Sequence, residues 1–244
     1  MMTITQYSSH ILVDNGMNGS LPTELRELIA LRSLWLFHNN LTGSIPDSLV
    51  ANHFLEEVRL EHNQLTGNPL PWSQMSYLSQ MRDWRAHRNS LSGSLSTFEP
   101  AEQLETLDLS WNSLTGILPS DLWDPSNLKR VSLTGNELEG PLPDSLGTSV
   151  QLVYLGNNGL TGTLPTDLVA SSDLILLNLR DNKFSGDVPS NWFTTTNNLI
   201  FLDLSGNVNL TGNLDLYCAN RRTGKVVFTT CAALPCSCCV CIPI

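Results

Sequence analysis

The amino-acid sequence predicts an α/β solenoid, in which short parallel β-strands and short helical turns repeat along one axis. Leucine supplies 43 of the 244 residues, and an octapeptide of the form NxLTGxIP recurs along the chain at intervals of about 24 residues. A fixed period of this length is the signature of architectures whose units stack on one another. With 41% hydrophobic and 15% charged residues, the composition is globular, so a disordered chain is not expected.

The octapeptide marks equivalent points in eight or nine consecutive units. NNLTGSIP begins at Asn39, and its echoes are NSLTGILP from Asn112, NELEGPLP from Asn136, NGLTGTLP from Asn158 and NKFSGDVP from Asn182. Weaker copies begin at Asn15, Asn63, Asn89 and Asn207. The steps between successive asparagines are 24, 24, 26, 23, 24, 22, 24 and 25 residues.

Each unit predicts a strand before its asparagine. Apolar residues lie eight, five and three positions upstream, as Leu31, Leu34 and Leu36 do before Asn39, and the last two alternate as one face of a strand does. The glycine permits positive φ, and the proline opens a short helical return path. About six buried aliphatic side chains at ~2 kcal/mol each do not offset the ordering of about 24 residues at ~1 to 2 kcal/mol apiece. A lone unit is therefore unstable, and stacking is required.

The repeated asparagines are expected to be scaffold. A side-chain amide carries two donors and an acceptor, which suits it to backbone groups exposed where a strand turns inward. Stacked units would align these amides into a ladder in which every side chain is expected to be buried and hydrogen-bonded to backbone. The ladder consists of Asn39, Asn63, Asn89, Asn112, Asn136, Asn158, Asn182 and Asn207.

The pattern LxxLxLxxNxLTGxIP resembles the leucine-rich repeat, and its TGxIP half resembles the plant-specific class of that repeat. The resemblance covers roughly Asn15 to Leu216. It implies a right-handed, horseshoe-shaped superhelix with a parallel β-sheet on the concave face and short helical or 3-10 turns on the convex face. Receptor-kinase ectodomains and polygalacturonase-inhibiting proteins have this pattern, and both are binding modules.

The resemblance divides the chain into an N-terminal flank (1–14), the repeats (15–216) and a cysteine-rich cap (217–244). The flank lacks the paired cysteines that cap family members, so apolar surface is expected around Leu12 and Met17. Within the repeats, Trp84 and Ala86 stand where two leucines are expected, and we expect their volumes to compensate. In the short repeat that ends at Asn158, Val153 is expected to point inward.

All six cysteines lie in the last 27 residues. This segment resembles the closing segment that follows such repeats in algal leucine-rich repeat proteins. Disulfides that staple a small cap are the main interpretation. Zinc or cluster ligation is the alternative, although CSCCVC lacks the CxxC pair spacing typical of zinc sites. The candidates are Cys218, Cys231, Cys236, Cys238, Cys239 and Cys241.

A ligand-binding patch is predicted on the concave face. Residues four, two and one positions before each asparagine should face solvent there, and the bulky, charged and aromatic ones crowd into four adjacent strands. Aromatic residues beside arginine are typical of interface hot spots. The predicted patch consists of Trp35, Phe37, His38, Arg59, Glu61, His62, Arg85, His87, Arg88, Asp108 and Trp111.

The expected ligand is acidic, because three arginines of this patch outnumber Glu61 and Asp108. Histidine protonation near pH ~6.5 should then strengthen binding. The alternative is that these two carboxylates neutralise the arginines within an ordinary solvated face. Histidines on three consecutive strands could form part of a metal site, and two stacked histidines could share a zinc ion. The sequence offers no third metal ligand in suitable geometry, so no metal or cofactor is expected.

The charge and motif content exclude several functions. With 13 basic and 23 acidic residues, the net charge is −10, so nucleic acid is not an expected partner. No apolar run is long enough to span a bilayer. Without GxSxG, HExxH or a phosphate-binding glycine loop, an enzyme is not expected.

The sequence therefore predicts a non-enzymatic recognition module, receptor-like or at the cell surface, that binds a protein, peptide or anionic glycan. An inhibitor of a secreted enzyme, such as a cell-wall polysaccharide hydrolase, is the alternative, and a structural spacer is a third class. An extracellular or cell-surface location is expected, although no signal peptide can be read in MMTITQYSSHILVD. The sequons at Asn18, Asn40 and Asn209 permit N-glycosylation on the secretory pathway.

Overall fold

The protein is a solenoid whose successive turns pair through parallel strands. A computed structural model describes residues 9–69, 76–95, 101–123, 125–169, 173–192, 198–215, 226–229, 234, 236–237 and 239–241. One sheet contains eleven strands, one from each turn in succession. Its strands are β1 (Ser9–Ile11), β3 (Ser33–Trp35), β5 (Glu57–Arg59), β7 (Asp83–Arg85), β9 (Thr106–Asp108), β11 (Arg130–Ser132), β13 (Leu152–Tyr154), β15 (Leu176–Asn178), β17 (Phe201–Asp203), β19 (Val226–Thr229) and β20 (Val240–Cys241). This is the sheet expected on the concave face of the predicted solenoid, and it is called the concave sheet below.

The core lies between the concave sheet and the return path of each turn. The central residue of each strand points inward, and register aligns Val58, Trp84 and Leu107 on neighbouring strands. Trp84 and Ala86 are both fully buried, as expected for residues in leucine positions. Val153 is also fully buried. The alternation of apolar residues in the sequence therefore predicted correctly which face of each strand points inward.

A second parallel sheet, which the sequence did not predict, is formed by the segments after the asparagines. Each segment is extended, with its leucine inward and polar residues outward, as in the exposed–buried–exposed pattern of Asn40, Leu41 and Thr42. The glycine and proline there had indicated only a turn. The strands are β2 (Asn18–Ser20), β4 (Asn40–Ser44), β6 (Gln64–Gly67), β8 (Ser90–Ser94), β10 (Ser113–Ile117), β12 (Glu137–Gly140) and β14 (Gly159–Leu160), with β16 (Ser185–Asp187) and β18 (Asn209–Thr211) pairing separately.

Short 3-10 helices begin directly after the proline in several turns. Because proline fixes φ and has no N–H, it suits the residue before a helical turn. Thr23–Glu27 and Asp47–Ala51 each pack one buried leucine against the core, and Ser120–Trp123 packs a leucine and a tryptophan.

The repeated asparagines form a hydrogen-bonded ladder along the solenoid. The Asn136 amide donates to the carbonyls of Leu109 and Leu133, and its Oδ1 accepts the Leu114 N–H. The same three contacts recur two repeats away around Asn182, with Leu155, Leu179 and Leu160. The expectation that every ladder side chain is buried is only partly right. Four are buried and four are half-buried, the half-buried ones being Asn63, Asn89, Asn112 and Asn158.

The concave sheet continues past the expected repeat boundaries at both ends. Strand β1 lies within the predicted flank and pairs with β3. Its last residue, Ile11, and the following Leu12 are 54% and 43% exposed, whereas Met17 is half-buried against the core. The expected apolar surface is therefore present around Leu12 and not at Met17.

At the other end, β19 pairs with β17 and places Val227 in the core. A disulfide joins Cys236 to Cys239, and no cysteine among the described residues is free. Cys218, Cys231 and Cys238 lie outside the described residues, so the disulfide-stapled cap as a whole stays a prediction.

Candidate ligand-binding site on the concave sheet

Four predicted site residues form one row across the concave sheet. Trp35, Arg59, Arg85 and Asp108 each end a strand, and the parallel register pairs each with the next. Adjacent strands lie ~4.8 Å apart, so the row brings an aromatic ring, two guanidinium groups and a carboxylate side by side. Their side chains lie on the concave side because the residues next to them on the strand point inward; the first three are half-buried, and Asp108 is buried.

The predicted residues directly before the asparagines leave the strand conformation. His38, His62, Arg88 and Trp111 have φ between 54° and 57°, in the left-handed region that costs ordinary residues roughly 1 to 2 kcal/mol. Each backbone N–H donates to a carbonyl of the following repeat; the Trp111 N–H, for instance, lies 2.7 Å from the Thr134 oxygen. Because the same conformation recurs in later turns, it belongs to the scaffold and fixes where these side chains leave the sheet.

Arg59 lies at the centre of the patch and is already paired. Its Nε and Nη2 donate to Oε1 of Glu61 at 3.0 and 2.7 Å. Its guanidinium lies 5.4 Å from the Trp35 ring and 4.4 Å from the Phe37 ring, distances typical of cation–π contacts. Glu61 is 3% exposed, and its second oxygen is buried without a hydrogen-bond partner. A donor brought by a ligand would satisfy that oxygen.

Two carboxylates that are not among the predicted site residues change the charge of the patch. Asp83 accepts both Nε and Nη2 of Arg85 at 2.8 and 2.7 Å, and Glu57 accepts the Trp35 indole N–H at 3.0 Å. Both lie two residues before a predicted site residue and share its face. That spacing was a signal available in the sequence.

The expected positive charge is therefore wrong. Three arginines face four carboxylates, which leaves −1 with neutral histidines. The four carboxylates are Glu57, Glu61, Asp83 and Asp108.

Among the described residues, Asp108 forms no ion pair with an arginine, so the alternative interpretation holds for Glu61 and Arg59 only. Its Oδ1 accepts the backbone N–H and the hydroxyl of Ser110 at 3.1 and 2.6 Å. Asp203 and Ser205 make the same two contacts several repeats later. Asp108 thus repeats a local strand-end device, with its Oδ2 3.7 Å from Nδ1 of His87.

Three histidines run along the edge of the patch. The rings of His38 and His62 stack with centroids 4.2 Å apart, and those of His62 and His87 meet edge to face at 5.5 Å. Burial, followed by the nearby charges of His38, His87 and Arg88, lowers the pKa of His62. Within the described ranges, no cluster of three or more His, Cys, Asp or Glu side chains is placed to hold a metal ion.

Arg88 and Trp111 are the side chains most open to a partner. Arg88 is exposed, and no carboxylate within the described part of the chain forms an ion pair with it. Trp111 is 50% exposed. Its ring lies over Gly135, where a Cβ would come within 2.5 Å of a ring carbon. A charge and an aromatic face therefore remain available beside the paired centre of the patch.

A family model and several solved structures agree with this architecture. Residues 30–51, 103–124 and 127–148 match the family model described as Leucine Rich Repeat. These three segments therefore match leucine-rich repeats, and the parallel solenoid and the asparagine ladder continue the same arrangement along the described chain.

The proteins to which the chain is similar include plant receptors. The receptor-like kinase TMK4 of Arabidopsis thaliana is 41% identical over 71 residues, which are 29% of this chain and 7% of that protein. The Arabidopsis receptor kinase HAESA, in complex with the peptide hormone IDA and the co-receptor SERK1, is similar with a TM-score of 0.76 and 24% identity, over 87% of this chain and 36% of that one.

A second solved receptor is similar over more of the chain. The ectodomain of GASSHO1/SCHENGEN3 from Arabidopsis thaliana, in complex with CASPARIAN STRIP INTEGRITY FACTOR 2, gives a TM-score of 0.69 at 29% identity, over 92% of this chain and 30% of that one. This chain spans about a third of the length of each of these two receptor chains.

Proposed function

We propose that this chain is the ligand-binding module of a receptor-like protein and that it binds a peptide across β3, β5, β7 and β9. The observation that carries the proposal is the cluster of aromatic and charged side chains on a rigid concave sheet. HAESA, which has this fold, is in complex with a peptide hormone. The proposed role is recognition rather than catalysis. The contact residues are Trp35, Phe37, His38, Arg59, Glu61, His62, Arg85, His87, Arg88, Asp108 and Trp111.

The pairing within the patch supports a particular ligand chemistry. Arg59 and Arg85 already bind carboxylates, so an acidic group of the ligand goes to Arg88. The unpartnered oxygen of Glu61 accepts a donor, such as a backbone amide or a basic side chain. The ring of Trp111 offers apolar contact. A peptide with one acidic group and donors beside it suits this arrangement better than a polyanion does.

Protonation of the histidines adds positive charge next to Arg88. Because the pKa of His62 is lowered, this residue gains its proton at a lower pH than the ordinary value of about 6.5. An acidic group on the ligand would raise the pKa of His62 on binding, so affinity for such a ligand increases as the pH falls. An acidic extracellular space, the location we propose, would favour the complex. No helix in the described part of the chain is long and apolar enough to cross a membrane.

The test is selection of binders from a display library of short peptides, followed by affinity measurements on two variants. Arg88→Ser and Trp111→Ala each remove an exposed side chain without breaking an internal ion pair. Hot-spot residues contribute about 2 kcal/mol or more, so each variant should weaken the selected peptides by about tenfold or more. Arg59→Ser is less informative, because it leaves the buried carboxylate of Glu61 unpaired.

Matched controls lie in the repeat that contains β7. Arg82→Ser removes an exposed arginine and Tyr77→Ala an exposed aromatic ring, 59% accessible, both outside the concave patch. These controls should keep the affinity within about twofold. Equal losses of affinity in the control and patch variants would place the site elsewhere. If the chain bound acidic glycans but no peptide, the ligand would be a glycan and the peptide proposal would be wrong.

A further inference from the structure

All three N-glycosylation sequons of the chain lie on strands outside the concave sheet. Asn18-Gly19-Ser20 is strand β2, Asn40-Leu41-Thr42 begins β4, and Asn209-Leu210-Thr211 is β18. No other Asn-x-Ser/Thr triplet occurs in the 244 residues. The sequons are thus confined to the segments that follow the ladder asparagines.

The strand conformation exposes both chemical groups of each sequon. Side chains alternate along a strand, so the asparagine and the hydroxyl residue two positions later share the outer face. Asn18, Asn40 and Asn209 are all exposed, as are Ser20 and Thr42. A bulky, solubilising glycan needs such surface positions.

The side-chain amides of these three asparagines are also unengaged. None of them takes part in a side-chain hydrogen bond within the described residues. Asn39, directly before Asn40, shows the contrast: its amide donates to the carbonyls of Leu12 and Leu36, and its oxygen accepts two backbone N–H groups. Two adjacent asparagines therefore differ completely, since one is tied into the ladder and the other projects into solvent.

We propose that Asn18, Asn40 and Asn209 carry N-linked glycans, which cover the second sheet at its N-terminal end and β18 and leave the concave sheet open. Asn18 and Asn40 are register partners on adjacent strands, ~4.8 Å apart, so their glycans occupy one area. The concave strands contain no sequon. The openness of the concave sheet rests on the function proposed above, whereas the attachment sites do not.

Mass spectrometry of the chain secreted from a eukaryotic host tests the attachment sites. Enzymatic deglycosylation in heavy-oxygen water should convert these three asparagines to labelled aspartate and leave Asn39 unlabelled. Ser20→Ala, Thr42→Ala and Thr211→Ala should each remove one glycan from the intact mass. Thr211→Ser keeps its sequon and should keep its glycan, and Ser44→Ala, on the same outer face, should remove none. Unmodified Asn18, Asn40 and Asn209 in the secreted protein would overturn the proposal.

An engineered sequon tests the open concave sheet. Arg88→Asn creates Asn-Asn-Ser within the patch, at a point where Arg88 and Ser90 are both exposed. Arg88→Ser, which removes the same side chain without creating a sequon, is the reference for its affinity. Peptide affinity should be the same within about twofold before and after removal of the native glycans, and it should fall at least tenfold when the engineered site is occupied. A native glycan that blocks the peptide would overturn this part. If the glycosylated, deglycosylated and engineered chains all fail to bind any peptide, the proposed function is contradicted. The mass-spectrometric assignment of the glycans still decides the attachment sites in that case.

Discussion

Replacement of Asn136 by alanine tests whether the asparagine ladder stabilises the solenoid. Asn136 is 8% exposed, and its amide makes three hydrogen bonds of 3.0 to 3.1 Å to the backbone groups of Leu109, Leu133 and Leu114. All three leucines are fully buried. Truncation to a methyl group therefore removes one donor from each of two buried carbonyls, which keep the amides of Asn112 and Asn158, and leaves the buried Leu114 N–H without its acceptor.

The expected cost follows from these three bonds. A hydrogen bond contributes about 0.5 to 1.5 kcal/mol net, and buried groups left unsatisfied cost more, so Asn136→Ala should lower the free energy of unfolding by about 2 to 4 kcal/mol. Asn136→Asp should cost at least as much, because a carboxylate keeps the acceptor but turns negative charge toward two carbonyls. Asn40→Ala is the matched control, since its side chain is exposed and its replacement should change stability by less than about 0.5 kcal/mol.

Urea unfolding followed by circular dichroism gives the stability difference, and hydrogen exchange locates it. The midpoint should fall at an unchanged slope. The Leu114 amide, which donates to Asn136, should exchange faster in the variant. Repeat proteins do not always unfold in one step, so the exchange rate of this single amide is a more specific measurement than the urea midpoint. A loss below about 0.5 kcal/mol with unchanged exchange at Leu114 would refute the ladder argument.

The remaining predictions concern the core, the edge of the patch and pH. Trp84→Ala should lower the free energy of unfolding by about 3 to 5 kcal/mol in urea titrations, because it empties a fully buried volume; Trp84→Leu should cost clearly less, and equal costs would contradict the cavity argument. Gly135→Ala should displace the Trp111 ring, since its Cβ would lie 2.5 Å from a ring carbon; near-ultraviolet circular dichroism should change in the native background and stay constant in a Trp111→Phe background. The pKa of His62 is lowered in the folded chain, mainly by burial, so the unfolded state binds the proton first and stability should fall as the pH drops below about 6.5. In His62→Phe the decline in Tm between about pH 7 and pH 5.5 should be shallower, and an identical slope would exclude His62 as its source.

Much of the fold could be predicted because its signals are local and repeated. The alternation of Leu34 and Leu36 defines one strand face, and the same spacing in later units places Trp84 and Ala86 in the core although neither is leucine. Repetition averages out single departures, so one irregular repeat does not obscure the pattern. The structure agrees at each of these positions.

The second sheet could not be predicted in this way. Its strands are held by bonds between units, such as those that pair Asn40–Ser44 with Gln64–Gly67, and the glycine and proline of each segment are local signals of a turn. Within a single segment nothing indicates that extended backbone will find a partner one turn away. The left-handed conformation of Trp111 has the same origin, because an inter-repeat hydrogen bond holds it.

The sequence by itself determined the period, the buried residues and the position of the ladder, because these depend on spacing within one unit. Only the tertiary structure decided the charge of the patch and the roles of adjacent asparagines. Arg85 binds Asp83 on its own strand, Trp35 binds Glu57 on the next one, and Asn39 is tied into the ladder while Asn40 is exposed. Such outcomes depend on which groups of the neighbouring turn come within hydrogen-bonding distance, and a distance between turns is set only when the turns are packed together.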